Sequence, residues 1–385
     1  MTSFTFNTVP SILVAPGAIR RLGEIAAARL GSRVALITDA GLVKAGLVEP
    51  ALEALRTSGI AVAVYDRVVA DPPESVVREA VEAARAHDAD AVVGLGGGSS
   101  MDVAKLVALL LRSGETLDAI YGVGLATGPR LPLLLAPTTA GTGSEVTAVS
   151  IVTTGAHEKK GVVSPILLPD VALLDPELTL GLPPHVTAAT GIDAMVHAIE
   201  AYTSTSPNNN PISRALAREA LRLLGRNIRR AVRHGRDLDA RTNMLLGAML
   251  AGQAFANSPV AAVHALAYPI GGHFGVPHGL SNALVLAHVM RFNAPVCFEA
   301  YCDLAPHAFP ELEGAVGERG AESFIAALAA LSADIGLEPR LRDVGIPQDA
   351  IPMMAEDAMK QTRLLVNNPR PVTLADAKAI YEAAW

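Results

Sequence analysis

Two cysteines in 385 residues, Cys297 and Cys302, are too few for a disulfide framework and fit a reducing compartment. An excess of positive charge is also missing. Lys and Arg number 31 against 38 Asp and Glu, a formal net charge of -7, which argues against nucleic acid or an anionic membrane as a partner. The densest basic run, 226–236, reads as the solvated face of a helix. Strongly apolar stretches such as 106–111 are too short to span a bilayer. The N-terminus, MTSFTFNTVP, has neither the positive start nor the apolar core of a secretion signal. No internal repeat or low-complexity tract stands out. These absences lead to the expectation of a soluble, cytoplasmic protein.

What is present is apolar mass. Half of the residues are hydrophobic, ample for sizeable cores, and the length suggests two domains. The first part alternates predicted strands (32–37, 60–65, 91–95, 131–136, 171–174) with predicted helices (18–29, 49–58, 73–87, 99–112). That alternation means βαβ units and a largely parallel sheet. Near LGLPP (180–184) the pattern changes. Beyond it the sequence predicts Ala- and Leu-rich helices at 184–203, 211–230, 240–256, 280–293, 321–335 and 374–384, with almost no strand signal. TSPNNN (205–210) reads as an exposed connection. The expected division is an α/β domain over 1–183, with a Rossmann-like dinucleotide-binding parallel sheet, and an all-helical domain over 184–385.

AVVGLGGGSSMD (91–102) reads as a strand, a glycine turn and a helix start capped by Ser99 or Ser100. Consecutive glycines remove Cβ atoms where a phosphate would approach backbone N–H groups, and a helix N-terminus favours an anion. Close helix–strand packing would explain them almost as well. PTTAGTGSE (137–145) follows another apolar strand and offers small hydroxyls for a pyrophosphate or ribose. Asp39 stands at the C-terminal end of a strand. There it could accept both ribose hydroxyls and repel a 2′-phosphate, favouring NAD over NADP, or simply cap a helix. G-x-G-x-x-G at the first βα turn is absent, so a standard Rossmann strand order is not expected.

Asp193 and His197 are four apart in a helical stretch, so their side chains share one face. His264 and His278 bracket a Gly/Pro-rich turn and could add two nitrogens. One carboxylate with three imidazoles suits Fe(II) or Zn(II) and is too nitrogen-rich for Mg or Ca. Any one of these residues could instead be an ordinary helix residue satisfying the core.

GGGSSMDVAK (96–105), PTTAGTGSEVT (137–147), GIDAMVHAIEAYTS (191–204) and His264 with PHG (277–279) occur in this order. With the tail NNPRP (367–371), they make the chain resemble the iron-containing, group III alcohol dehydrogenase family over nearly its whole length. The resemblance implies a dehydroquinate synthase-like architecture, a metal in the cleft between two domains, and a homodimer. By it, Asp193, His197, His264 and His278 would be the metal ligands. Gly97, Gly98, Ser99, Asp102, Thr138, Thr139 and Thr142 would serve the cofactor, Asp39 would select NAD, and Lys159 or its neighbour Lys160 would help the ribose end. Two positions depart from the family's pattern. Tyr268 stands where many members carry a histidine of a proton path, so the relay would pass through Tyr268, water, a cofactor hydroxyl or His273. Val149 replaces a polar residue of diol-active relatives and, with Phe255, suggests an apolar pocket. Glu200, three residues past His197, would support a ligand or form a structural ion pair.

The resemblance implies NAD(H)-dependent interconversion of a small alcohol and its aldehyde or ketone. The ion, Fe(II) or Zn(II), acts as a Lewis acid on the substrate oxygen, and hydride passes to the nicotinamide. Maleylacetate reductase, glycerol dehydrogenase and dehydroquinate synthase are rivals within the same superfamily. A metallohydrolase could use three His and an Asp but has no use for the glycine loop. A scaffold protein would gain nothing from burying such a set.

Overall fold

The computed structural model describes residues 3–155 and 158–385. It divides into two compact units. One comprises Asn7–Thr139 and Gly143–Leu180; the other comprises Gly181–Trp385, the residues up to Phe6, and Ala140–Thr142. The sequence places the change at 183; the structural division falls at Leu180.

The first unit is built on a six-stranded parallel sheet. Its strands are β1 (Ile12–Val14), β2 (Arg33–Ile37), β3 (Ala61–Tyr65), β4 (Ala91–Gly96), β6 (Leu133–Pro137) and β9 (Val171–Leu174), ordered β1-β9-β6-β4-β2-β3. The inner strands β2, β4, β6 and β9 are near-continuously apolar and buried, as strands of a parallel sheet covered on both faces are. The edge strands β1 and β3 are partly exposed. Alternation assigns the faces. Ala35, Ile37, Val92, Leu133 and Leu135 belong to one buried cluster, while Val34, Leu36, Val93, Leu95, Leu134, Ala136 and Leu173 belong to the other. Fully burying each Val, Leu or Ile side chain among them contributes roughly 1.5–3 kcal/mol. The register pairs Gly96 with Pro137. Both turn-rich loops therefore leave the sheet from the ends of adjacent strands, where open α/β sheets bind ligands.

Four strands lie outside the predicted set. β1 has three residues, too few to show a period. A second, three-stranded sheet joins β5 (Gly122–Val123), β7 (Val149–Thr154) and β8 (Glu158–Val163), with β7 and β8 antiparallel. β8 reads EKKGVV, which carries no apolar alternation to announce it.

The second unit is helical. Its long helices are Pro184–Thr203, Pro211–Arg233, Leu238–Asn257, Ala262–Phe274, His278–Ala308 and Gly317–Asp334. The fifth runs well past the predicted 280–293, because two helices join across a kink at Cys297, where φ is -140°. Pro295 removes a backbone donor just before the kink. Among the described residues no helix is long and apolar enough to cross a membrane.

Candidate functional site

In the helical unit, Asp193 and His197 lie one turn apart on Pro184–Thr203, with Asp193 Oδ1 and His197 Nε2 4.0 Å apart. His278 opens the helix His278–Ala308, and its Nε2 lies 3.7 Å from the same carboxylate oxygen. His264, in the first turn of Ala262–Phe274, has its ring 4.8 Å from that of His197 and 5.4 Å from that of His278. One donor atom each from Asp193, His264 and His278 fall within 4.8 Å of one another. Gly279 permits this approach. A Cβ there would lie 2.4 Å from the Ala189 carbonyl oxygen and 3.3 Å from Asp193 Cβ.

The two N···O separations are too long for hydrogen bonds. They are near the ~3–3.6 Å expected between two ligands of one ion held at ~2.1 Å. The donor chemistry fits as well. Burial tends to raise the Asp193 carboxyl, but the surrounding His197, His278 and His264 and the Asn282 amide outweigh it and hold it below its ordinary range. Burial lowers His197 and takes His264 well down, a direction that favours the neutral imidazole, the form that binds metal. Asp193 is 2 % exposed, whereas the His278 side chain is 33 % exposed, the most open of the four.

Two further residues complete the cluster. Glu200 is buried, with Oε1 accepting from Val263 N at 2.7 Å and Oε2 lying 2.6 Å from His264 Nδ1. Burial pushes its carboxyl up to about 7. Glu200 thus engages His264 through Nδ1, and the other ring nitrogen, Nε2, faces the other donors. Asn282, which no sequence argument singled out, donates from Nδ2 to Asp193 Oδ1 at 2.6 Å.

The remaining candidates of this unit divide. Phe255 stacks on His197, ring centroids 4.4 Å apart, and the Tyr268 ring lies 6.0 Å from that of His278. His273 lies elsewhere. Nine residues after His264 on the same helix, it is roughly 13 Å further along, and its Nε2 is 2.5 Å from Asp357 Oδ2. Thr142 is half-buried in the segment Ala140–Thr142.

In the α/β unit the glycine loop differs from expectation in one respect. Gly97 caps the helix Gly98–Ser113, so Ser99 and Ser100 lie inside its first turn and neither is the cap. Just before it Gly96 takes φ +157°, where a Cβ would meet Ser100 Oγ at 2.6 Å. No side chain caps the helix, so its N-terminal N–H groups carry no side-chain acceptor at Gly97, a favourable place for an anion. Gly97, Gly98 and Ser99 are half-buried. Thr138 is buried, its N–H donating to Gly96 O at 2.9 Å, and Thr139 follows it half-buried.

Asp39 serves as a helix cap, accepting from Leu42 N at 3.0 Å at the C-terminal end of β2. Asp102 braces the second loop, accepting from Ser144 Oγ at 2.6 Å and Ile151 N at 2.9 Å. Lys105, within the first motif but given no role from sequence, is fully buried. Its ammonium donates to Ser144 Oγ (2.8 Å), Thr147 Oγ1 (3.2 Å) and the carbonyl of Val149 (2.6 Å), using all three of its protons. Val149 itself is half-buried at the start of β7. Lys159 pairs with Asp71 at 2.5 Å, and Lys160 lies 5.8 Å from the centre of the Tyr121 ring.

Residues 10–176 match the family described as iron-containing alcohol dehydrogenase, and residues 187–385 match the C-terminal domain of the Fe-containing alcohol dehydrogenase family. Long-chain-alcohol dehydrogenase 1 of Geobacillus thermodenitrificans is 43% identical, covering 93% of this chain and 91% of its own. The crystal structure of a 1,3-propanediol oxidoreductase superposes with a TM-score of 0.95 at 38% identity, covering 100% of both chains. A sulfoacetaldehyde reductase from Bifidobacterium kashiwanohense, solved in complex with NAD+, gives a TM-score of 0.88 at 28% identity, covering 100% of this chain and 99% of its own. With both family regions matched and an alcohol dehydrogenase as a near full-length relative, this chain belongs to the iron-containing alcohol dehydrogenase family and is an alcohol/aldehyde oxidoreductase.

Proposed function

We propose that the chain interconverts a small alcohol and its aldehyde or ketone with NAD(H) as the redox partner and Fe(II) as the resident ion. The observation that carries this reading is the meeting of Asp193 with His264 and His278, with His197 one turn along the helix. Those four would hold the ion; Zn(II) fits the same donors, and availability decides between the two. When bound, the ion supplies Lewis-acid polarisation of the substrate oxygen.

The rest falls to the chain's own residues. Gly97, Gly98, Ser99, Thr138, Thr139 and Thr142 would receive the cofactor's phosphates and ribose, with Lys159 at the ribose end. Asp102 would keep the second loop in shape. Asp39 favours NAD, because its charge repels a 2′-phosphate. The NAD+ complex of the sulfoacetaldehyde reductase supports the same choice. Tyr268, near His278, offers a hydroxyl to a substrate proton path, with water beyond it, while His273 would join only through an intervening chain of donors. Phe255, stacked on His197, and Val149 favour an apolar substrate. The free cysteines Cys297 and Cys302 support residence in the reducing cytoplasm, and a homodimer comes with the family resemblance.

With NAD and a panel of primary alcohols, absorbance of NADH is expected to appear, with NADP turned over far more slowly. His278→Ala is expected to lose bound metal and turnover while retaining NADH binding, read by metal analysis and nucleotide fluorescence. Full turnover by metal-free His278→Ala would overturn the assignment. Ester hydrolysis without nicotinamide turnover would favour a metallohydrolase.

A further inference from the structure

The tail NNPRP (367–371) has no part in the proposed chemistry. Its two asparagines are buried, and between them they reach all three helices that carry the proposed ligands. The backbone carbonyl of Asn367 accepts from Thr205 N at 2.8 Å, just beyond the helix Pro184–Thr203 of Asp193 and His197. Its side-chain Nδ2 donates to the Val260 carbonyl at 3.0 Å, just before the helix Ala262–Phe274 of His264. Asn368 exchanges two hydrogen bonds with Asn293 of the helix His278–Ala308. Its Nδ2 donates to Asn293 Oδ1 at 2.7 Å, and its Oδ1 accepts from Asn293 Nδ2 at 3.0 Å. Asn293 lies before the kink at Cys297, in the segment that begins at His278.

Both side-chain amides are saturated on the nitrogen side. Asn367 Nδ2 gives its second hydrogen to the Arg363 carbonyl at 3.0 Å, and Asn368 Nδ2 gives its own to the Arg370 carbonyl at 2.6 Å. Buried donors that are all used resist movement of the groups they join, because a shift strands a donor away from water. Arg370 adds a second hold on the helix of His278. Its guanidinium carbon lies 4.1 Å from the centre of the Phe292 ring, and Nη1 donates to the Phe292 carbonyl at 2.9 Å. Pro369 and Pro371 fix φ on either side of Arg370, so less freedom is lost in ordering the tail. The turn before His264 is held from two sides, with Asn367 on the carbonyl of Val260 and Glu200 on the amide of Val263.

We propose that Asn367 and Asn368 are positioning residues of the metal centre. By tying the helices of Asp193, His264 and His278 to one dipeptide, they set the spacing of the donors that would hold the ion. The proposal rests on the metal centre described above.

The test compares wild type, Asn367→Ala and Asn368→Ala with Asn227→Ala. Asn227 is a buried asparagine of the helix Pro211–Arg233, which carries no proposed ligand, and it donates to the Leu223 carbonyl at 2.8 Å. Each protein is stripped with a chelator and titrated with Co(II), followed by its visible absorption, and thermal unfolding is measured alongside. All three variants are expected to melt below wild type. Asn367→Ala and Asn368→Ala are expected to bind Co(II) several-fold more weakly, short of the roughly 10–100-fold cost of losing a direct partner of a ligating residue. Their Co(II) bands are expected to change in intensity as the donors shift, while Asn227→Ala keeps the wild-type affinity and spectrum. Lower melting points with unchanged Co(II) affinity and spectrum in Asn367→Ala and Asn368→Ala would overturn the proposal by reducing both residues to packing. An equal loss of affinity in Asn227→Ala would overturn it by making the effect one of general loosening. If Asn367→Ala does not fold, Asn368→Ala decides between the same outcomes. Wild type that takes up no Co(II) would sink the metal centre itself, a result distinguishable from either failure.

Discussion

A carboxylate taken out of water is costly unless both its oxygens are used, and Glu200 uses both, on the Val263 amide and the His264 ring. That arrangement fixes which imidazole nitrogen faces Asp193, so Glu200 acts on metal affinity through His264. Glu200→Gln keeps the shape and removes the charge. It is expected to weaken metal binding about 10–100-fold, the usual effect of losing a carboxylate behind a ligating histidine, with little loss of helicity by circular dichroism. Competition against a chromophoric chelator reads the affinity, and an unchanged value would reduce Glu200 to packing. At this scale the sequence was legible in part. Asp193 and His197 declared themselves by spacing, and His264 and His278 by the order of the motifs. Glu200 had a helical spacing to His197, yet its partner is His264, 64 positions away. Asn282 had no signal, since an amide within an apolar helix reads the same wherever it points.

The second loop is held by a buried lysine and a carboxylate of one helix. Lys105 and Asp102 project from the helix Gly98–Ser113 and hold Ser144, Thr147, Val149 and Ile151, so the geometry of that loop is set from inside the α/β unit. Glu145 is buried in the same loop, and burial pushes its carboxyl from 4.5 up to about 7. Between those values the unfolded chain has lost the proton and the folded chain still holds it. The contribution of Glu145 to stability is therefore present below pH 4.5 and lost as pH rises toward 7. Urea unfolding of wild type and Glu145→Gln across pH 5–8 is expected to show wild type losing ground steadily over that window. A difference independent of pH, or growing in favour of wild type, would refute it. The elements themselves were unevenly legible for a physical reason. The inner strands of the large sheet are buried on both faces and show as apolar runs, and the long helices show as Ala/Leu-rich tracts. β1, β5 and β8 are short or carry no apolar alternation, and are held by pairing with strands distant in sequence. The glycine-capped helix start was misread because glycine caps through backbone freedom, while Ser99 and Ser100 look like side-chain caps.

Over the whole molecule, the ligands of the proposed ion are confined to one unit. Asp193, His197, His264 and His278 come from three helices of the helical unit, whereas Gly97, Gly98 and Thr138 lie in the α/β unit. Binding stabilises what it contacts by mass action, about 2.7 kcal/mol when the free ligand is at a hundredfold its Kd. The two ligands should therefore protect different parts of the chain. Chelation is expected to speed amide hydrogen exchange in Pro184–Thr203, Ala262–Phe274 and the first turns of His278–Ala308, with β4 and the helix Gly98–Ser113 little changed. NADH added to the metal-free protein is expected to slow exchange at the N-terminus of the helix Gly98–Ser113 and after β6. Exchange that rises evenly through both units on chelation would mean that the ion is bound elsewhere or that the units unfold as one. Protection by NADH confined to the helical unit would move the nucleotide away from the glycine loop.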